Sequence, residues 1–275
     1  MLKTRIITAV VLLAILAAVL VSKSMAAFVL ALTAFQAAAA WECMRLFGSR
    51  RPLLWAVVWT AAFLFVLLRF PSGQMQLLFT LCVALWALRF APALGIGLPP
   101  AGGLGSRLLG LTYGIAILGC FVALAMLYKI SGLYLLSVMA LVWVADIGAY
   151  FAGRKFGRRK LAPSISPGKT WEGAIGGLAC VLLVGMVFMQ PWLHPVLADT
   201  FPAALLRQWG WAGGIAVLTL VAAASVVGDL FESQLKRRAG MKDSSKLLPG
   251  HGGVLDRIDA LIPVLPLAVL LSTRL

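Results

Sequence analysis

This sequence is short of charge, and above all short of acid. Only 12% of its 275 residues are charged, where a soluble domain carries about a quarter. Nine residues are Asp or Glu against 24 Lys and Arg, and 62% are hydrophobic. That composition excludes an ordinary water-soluble globule. Cysteine is scarce as well. Cys43, Cys82, Cys120 and Cys180 stand singly inside apolar runs, with no C-x-x-C pair. With only two His in the chain, no zinc-type spacing exists, and the thiols read as small core residues. Tandem repeats and low-complexity tracts are absent too.

What is present is a series of long apolar runs. Nine candidate spans fall at residues 5–22, 25–44, 53–68, 75–95, 108–128, 131–152, 172–190, 211–231 and 258–273. Runs of this length predict an all-α polytopic membrane protein. Residues 91–106, rich in Pro and Gly, form a loop or a re-entrant piece. Met1 to Arg5 followed by an apolar run resembles a signal peptide, but further spans follow at once, so an uncleaved first helix fits better. An odd number of spans puts the termini on opposite sides. With the N-terminus cytoplasmic, 19 of the basic residues fall on that side and 5 on the other. The bias predicts a cytoplasmic N-terminus and an external C-terminus, as expected of a protein of the bacterial inner membrane.

Twelve of the basic residues lie in two loops, Arg154–Lys169 and Lys236–Arg257. Topology and attraction to anionic membrane lipids account for part of this; a phosphate-binding surface accounts for the rest. Nucleic acid is not an expected partner. Residues 1–130 hold a single acid, Glu42, and read as a transmembrane scaffold. Residues 131–275 hold the other acids and read as the catalytic region with its two basic loops. Carboxylates within or beside membrane spans are costly, and so are candidates for function.

Asp229, Glu232, Ser233, Lys236 and Arg237 recur at helical spacing and form one polar stripe. Lys236 can pair with Glu232 or Ser233. Asp229 has no basic residue one turn before it, so it requires a metal ion or a distant partner. A loop follows, with Lys242, Lys246 and the glycines around His251, where exposed backbone N–H groups can cradle phosphate. For His251 the roles of base, phosphate donor and structural residue all stay open. Asp256 and Asp259 then share a face at the entry to the ninth span, where helix capping also suits Asp256. Acids without a Cys or His cluster suit Mg²⁺ rather than zinc. Gly168-Lys169-Thr170 has the look of a P-loop end, but Pro163 stands where the motif needs Gly, and no strand is expected before it. Gly173 and Gly177 form a small-xxx-small pair that serves either packing within the chain or a homodimer.

The run from Ser233 through Lys236-Arg237, Lys242-Asp243, Pro249, His251-Gly252-Gly253 and Asp256-Arg257 to Asp259 resembles the signature of the phosphatidate cytidylyltransferases, also called CDP-diacylglycerol synthases. The segment Asp146–Glu172 resembles a second stretch of that family. The resemblance implies a membrane nucleotidyltransferase of phospholipid biosynthesis. It would take CTP and phosphatidate to CDP-diacylglycerol and pyrophosphate with Mg²⁺, leaving room for a second cation. It implies metal binding by Asp229 and Asp256, with Glu232, Asp259 and Asp146 beside them. Catalytic roles fall to Asp229, Asp256, Lys242, Arg257 and His251. Substrate binding falls to Lys169, Arg154, Arg158, Lys236, Arg237, Ser233, Gly252 and Gly253. A transporter of anions would instead need an inverted repeat, and a CTP-dependent lipid kinase would release CDP.

Overall fold

A computed structural model describes residues 2–190 and 194–272. It is a helical bundle of α1 (Leu2–Ser22), α2 (Met25–Leu46), α3 (Pro52–Arg69), α4 (Gln76–Leu85) continuing through a wide π turn at Trp86–Phe90 into α5 (Ala91–Ile96), α6 (Leu104–Ile130), α7 (Gly132–Phe156), α8 (Trp171–Phe188), α9 (His194–Leu197), α10 (Phe201–Arg238), α11 (Leu255–Ile258) and α12 (Leu261–Leu270). Among the described residues, seven helices are long and apolar enough to cross a membrane; the α4–α5 unit counts as one of them. Hydroxyl caps start several helices: Ser24 accepts from the Ala27 N–H, Ser131 from Tyr134 and Thr170 from Gly173. Gly210, at φ +63°, breaks the helical path inside α10, so the long span proper begins at Trp211, as the sequence predicts.

Polar and aromatic contacts define the two ends of the bundle. At the basic end, Arg238 stacks over Phe47 at 4.7 Å and donates to the Pro99 carbonyl, while Thr8 donates to the Pro249 carbonyl at 2.7 Å. At the far end, Tyr128 stacks on Phe28, and the Tyr134 hydroxyl meets Ser272 at 2.7 Å. The first and last described helices therefore start and finish at opposite ends. Arg274 and Leu275 lie outside the described residues, as do Pro191 to Leu193.

Three expectations need correction. The ninth span is not a full-length helix. α12 has ten residues, only ~15 Å of rise, and it is buried, with Ile262, Val264, Leu265 and Ala268 at 0% exposure. It runs as a central pillar among α4, α6, α7 and α10, shielded from lipid. Second, the first basic loop, Arg154–Lys169, folds as a hairpin of β1 (Lys160–Ala162) and β2 (Ser166–Thr170). A strand thus does precede Gly168-Lys169-Thr170. The P-loop stays excluded because Pro163 is unchanged and these three residues lie inside β2 rather than in a loop. Third, Gly173 and Gly177 pack within the chain. A Cβ on Gly173 would meet the Ala149 carbonyl at 2.8 Å, and one on Gly177 would strike the Ala145 carbonyl. The pair lets α7 and α8 approach backbone to backbone, so it lends no support to a homodimer.

Candidate active site

Asp146, exposed on α7, and Asp229, half-buried on α10, stand partway along their helices rather than at the ends. Asp229 is nine residues, ~14 Å of helix, from the basic end of α10, and Asp146 is twelve residues, ~18 Å, from Tyr134 at the far end. Between α7, α8 and α10 lies a cavity of about 1030 Å³. Asp146, Asp229, Asp243, Asp256 and Asp259 line it, together with Arg154, Lys169, Lys236 and Arg257. Its other wall is apolar, with Ala145, Ala149, Leu178, Ala222 and Val226.

Two lysines organise the floor through three ion pairs. Lys169, delivered by β2, pairs with Asp229, whose other oxygen accepts from the Ser233 hydroxyl at 3.3 Å. The distant partner required by Asp229 therefore comes from the other basic loop. Lys236 sits 2.7 Å from Asp256 and 3.3 Å from Glu232. Glu232 is fully buried; its carboxyl stands against that of Asp259, and Lys236 is its one ion-pair partner among the described residues. Removing that lysine would leave an uncompensated buried charge.

Asp256 is the most heavily bonded acid of the site. Its Oδ2 accepts from the Gly253 N–H at 2.7 Å and from the Ser244 N–H and hydroxyl, each at 2.9 Å. Burial favours its neutral form, but the Lys236 ammonium and the Gly253 and Ser244 N–H groups outweigh that and hold the carboxyl below its ordinary value.

Other residues singled out from the sequence stand elsewhere. Lys242 and Arg237 are exposed and outside the cavity wall, and Arg237 reaches the Ile165 carbonyl of the hairpin at 3.4 Å. The Arg158 backbone N–H donates to Glu172, and its side chain borders a separate surface groove. His251 does not line the cavity, and its Nδ1 is buried without a partner among the described residues. The Gly253 N–H, read as a phosphate donor, is taken by Asp256. Gly252, at φ +83°, closes a tight turn in which its carbonyl accepts from the Leu248 N–H.

No three His, Cys, Asp or Glu residues among the described ones converge as a ready metal cage. The donors present are oxygens. The two acids that head the sequence reading, Asp229 and Asp256, each carry a lysine ammonium, which marks both as places that demand a cation. This suits Mg²⁺, which is commonly held by one or two carboxylates plus substrate phosphates rather than by an all-protein cage.

Sequence reasoning gave no site role to Glu42, Ser244 or Ser245, and named Asp243 only within the signature. Ser244 and Ser245 are buried in the loop after α10, and both donate to the Glu42 carboxylate from α2. The available signal was the isolation of Glu42, the lone acid in an apolar half.

The cytidylyltransferase family model matches residues 3–274. The chain belongs to the cytidylyltransferase family. It is 38% identical over 289 residues to the phosphatidate cytidylyltransferase of Haemophilus influenzae, covering 97% of this chain and 96% of that protein. To the protein of the same name from Pseudomonas aeruginosa it is 41% identical over 271 residues, covering 97% and 95%. A third phosphatidate cytidylyltransferase, from Brucella suis, is 48% identical over 126 residues, 46% of this chain and 41% of that protein.

Proposed function

We propose that the chain transfers the cytidylyl group of CTP to phosphatidate, giving CDP-diacylglycerol and pyrophosphate, and that residues 131–275 carry the chemistry on a scaffold of residues 1–130. One observation carries this reading. One cavity brings the Lys169–Asp229 and Lys236–Asp256 pairs together with an apolar wall, a lining that suits a lipid phosphate beside a nucleotide phosphate.

The reaction is an in-line displacement. A phosphatidate oxygen bonds to the α-phosphorus of CTP, the bond to the bridging oxygen of the β-phosphate breaks, and pyrophosphate leaves with that electron pair. A phosphate nucleophile is ionised near neutral pH, so no general base is needed. The work left to the protein is positioning and neutralisation. Lys169, Lys236, Arg154 and Arg257 face the cavity and are placed to neutralise phosphate oxygens. Asp229 and Asp256 would hold Mg²⁺, whose chemistry there is to offset charge on the nucleotide phosphates. Lys169 and Lys236 would then be free to turn from carboxylate to phosphate. The basic bias supports a site that opens to the cytoplasm in the inner membrane of a bacterium.

The test is product identity. Purified protein in phosphatidate micelles, given CTP labelled at the α- or the γ-phosphate, should place the α-label in lipid and the γ-label in pyrophosphate. Release of CDP with the γ-label in lipid would replace this reading with a lipid kinase. A reporter within residues 154–170 should be cytoplasmic and one at Leu275 external. Both on one side would overturn the orientation.

A further inference from the structure

Glu42 crosses the boundary between scaffold and site. It lies on α2, is fully buried, and pairs with no basic side chain among the described residues. A carboxylate in that setting needs donors, and all four it has come from the loop after α10. Ser245 donates its hydroxyl at 2.5 Å and Ser244 at 3.2 Å; the Val254 and Leu255 N–H groups donate at 3.0 and 2.6 Å. The two backbone donors are free N–H groups at the start of α11.

The loop is shaped around this group. A Cβ on Gly253 would fall on the Ser244 hydroxyl and on the Glu42 carboxylate, so any larger residue there would displace one of these groups. A Cβ on Gly252 would come within 2.6 Å of the Asp256 carboxylate. The glycine pair therefore leaves room for two carboxylates, one from each half of the chain. Ser244 joins them: its N–H donates to Asp256, and its hydroxyl, with one proton to share, lies between Asp256 at 2.9 Å and Glu42 at 3.2 Å. Asp256 in turn holds Lys236 at 2.7 Å.

We infer that Glu42 is a positioning residue of this site. It clamps residues 244–255 onto α2, and so sets where Asp256 and Lys236 face the cavity, without touching substrate. The inference rests on the proposed cytidylyl transfer only for its kinetic readout; the clamp itself is read separately.

Glu42→Gln keeps the shape but turns an amide NH₂ toward groups that are themselves donors. In the purified full chain, kcat should fall about a hundredfold, as expected when catalytic groups shift by about an ångström. Hydrogen exchange over 244–255 should accelerate at least about tenfold, the loss of a buried hydrogen bond or more. Exchange along α6 should stay as in the parent. Glu42→Asp, one methylene short, should fall between the two in both readouts. Parental kcat and KM in Glu42→Gln, or unchanged exchange over 244–255, would overturn the inference. So would acceleration spread equally over α6, since Glu42 would then only support the bundle. If Glu42→Gln does not insert, Ser245→Ala removes one clamp bond and is read by the same two measurements. If the parent makes no CDP-diacylglycerol, the proposed reaction fails, while the exchange comparison still decides the clamp.

Discussion

The two basic loops look alike in composition, six Lys or Arg each, and are built on opposite plans. The loop between α7 and α8 is a hairpin that turns its cations outward: Arg158 and Arg159 are exposed, Glu172 ties down both of their N–H groups, and only Lys169 reaches an acid of the floor. The loop between α10 and α11 turns inward. Its exposed residues include Lys242 and Lys246, but Ser244, Ser245 and Gly253 are buried around Glu42 and Asp256. Charge count alone does not separate them. What differs is the presence of buried carboxylates that the second loop must satisfy with its own N–H and hydroxyl groups. Apart from Lys169, the hairpin's cations meet only the partly exposed Glu172 carboxylate, so Arg158 and Arg159 are left to the surface.

That comparison can be broken first at the floor, where the loops meet. Asp229→Asn removes the charge that draws Lys169 inward. Loss of one preorganised electrostatic group typically costs about 100- to 1000-fold in rate, and kcat should fall by that order in protein that still inserts and purifies. Near-parental activity at saturating Mg²⁺ would show that the hairpin lysine and its acid are incidental.

Lys236→Met tests the inward loop. It leaves Glu232 and Asp256 without their shared cation, a change that costs about 3–5 kcal/mol when a buried pair is broken. Thermal unfolding in detergent should shift down by several degrees and activity should vanish. An unchanged melting point would mean that the buried acids are compensated elsewhere.

Gly177→Leu concerns the seam that carries the hairpin. Its new side chain would press on the Ala145 carbonyl of α7, and overpacking of this kind costs about 1–3 kcal/mol. Reduced stability at unchanged molecular mass is the expected result. A change of mass with intact stability would return the glycines to a contact between copies.

The smallest effects should come from the surface cations. Arg158→Ala should raise the apparent KM for phosphatidate in mixed micelles a few-fold, about the strength of one interfacial cation near anionic lipid, with kcat unchanged. Lys242 is exposed and off the cavity wall, so Lys242→Ala should do no more than that. A large fall in kcat from Lys242→Ala would show that this loop closes over the substrate.

Much of the site was legible because its residues are close together in the sequence. The stripe from Asp229 to Arg237 and the Asp256–Asp259 pair need only helical periodicity to share a face, and the structure sets Asp229, Lys236, Asp256, Arg257 and Asp259 around one cavity. Lys169 came to light as a cation of the first loop but not as the partner of Asp229, because sixty residues and two helices separate them. Glu42 was set aside with its scaffold for the same reason. Nine spans are read from the sequence where seven described helices are long and apolar enough: a run of apolar residues registers as a span whether it faces lipid or, like α12, faces protein on all sides.

The sequence by itself determined that this chain is a helical membrane protein of the cytidylyltransferase family, with its basic residues biased to one end. Apolar length and charge placement act locally, residue by residue along each segment, so they can be read without a fold. Only the tertiary structure decided which donor answers each acid. Asp229 takes a lysine from a hairpin, Asp256 takes two N–H groups, a hydroxyl and Lys236, and Glu42 takes a loop more than two hundred residues away. Satisfying a buried carboxylate depends on groups within about 3 Å in space, and separation along the chain says nothing about that distance.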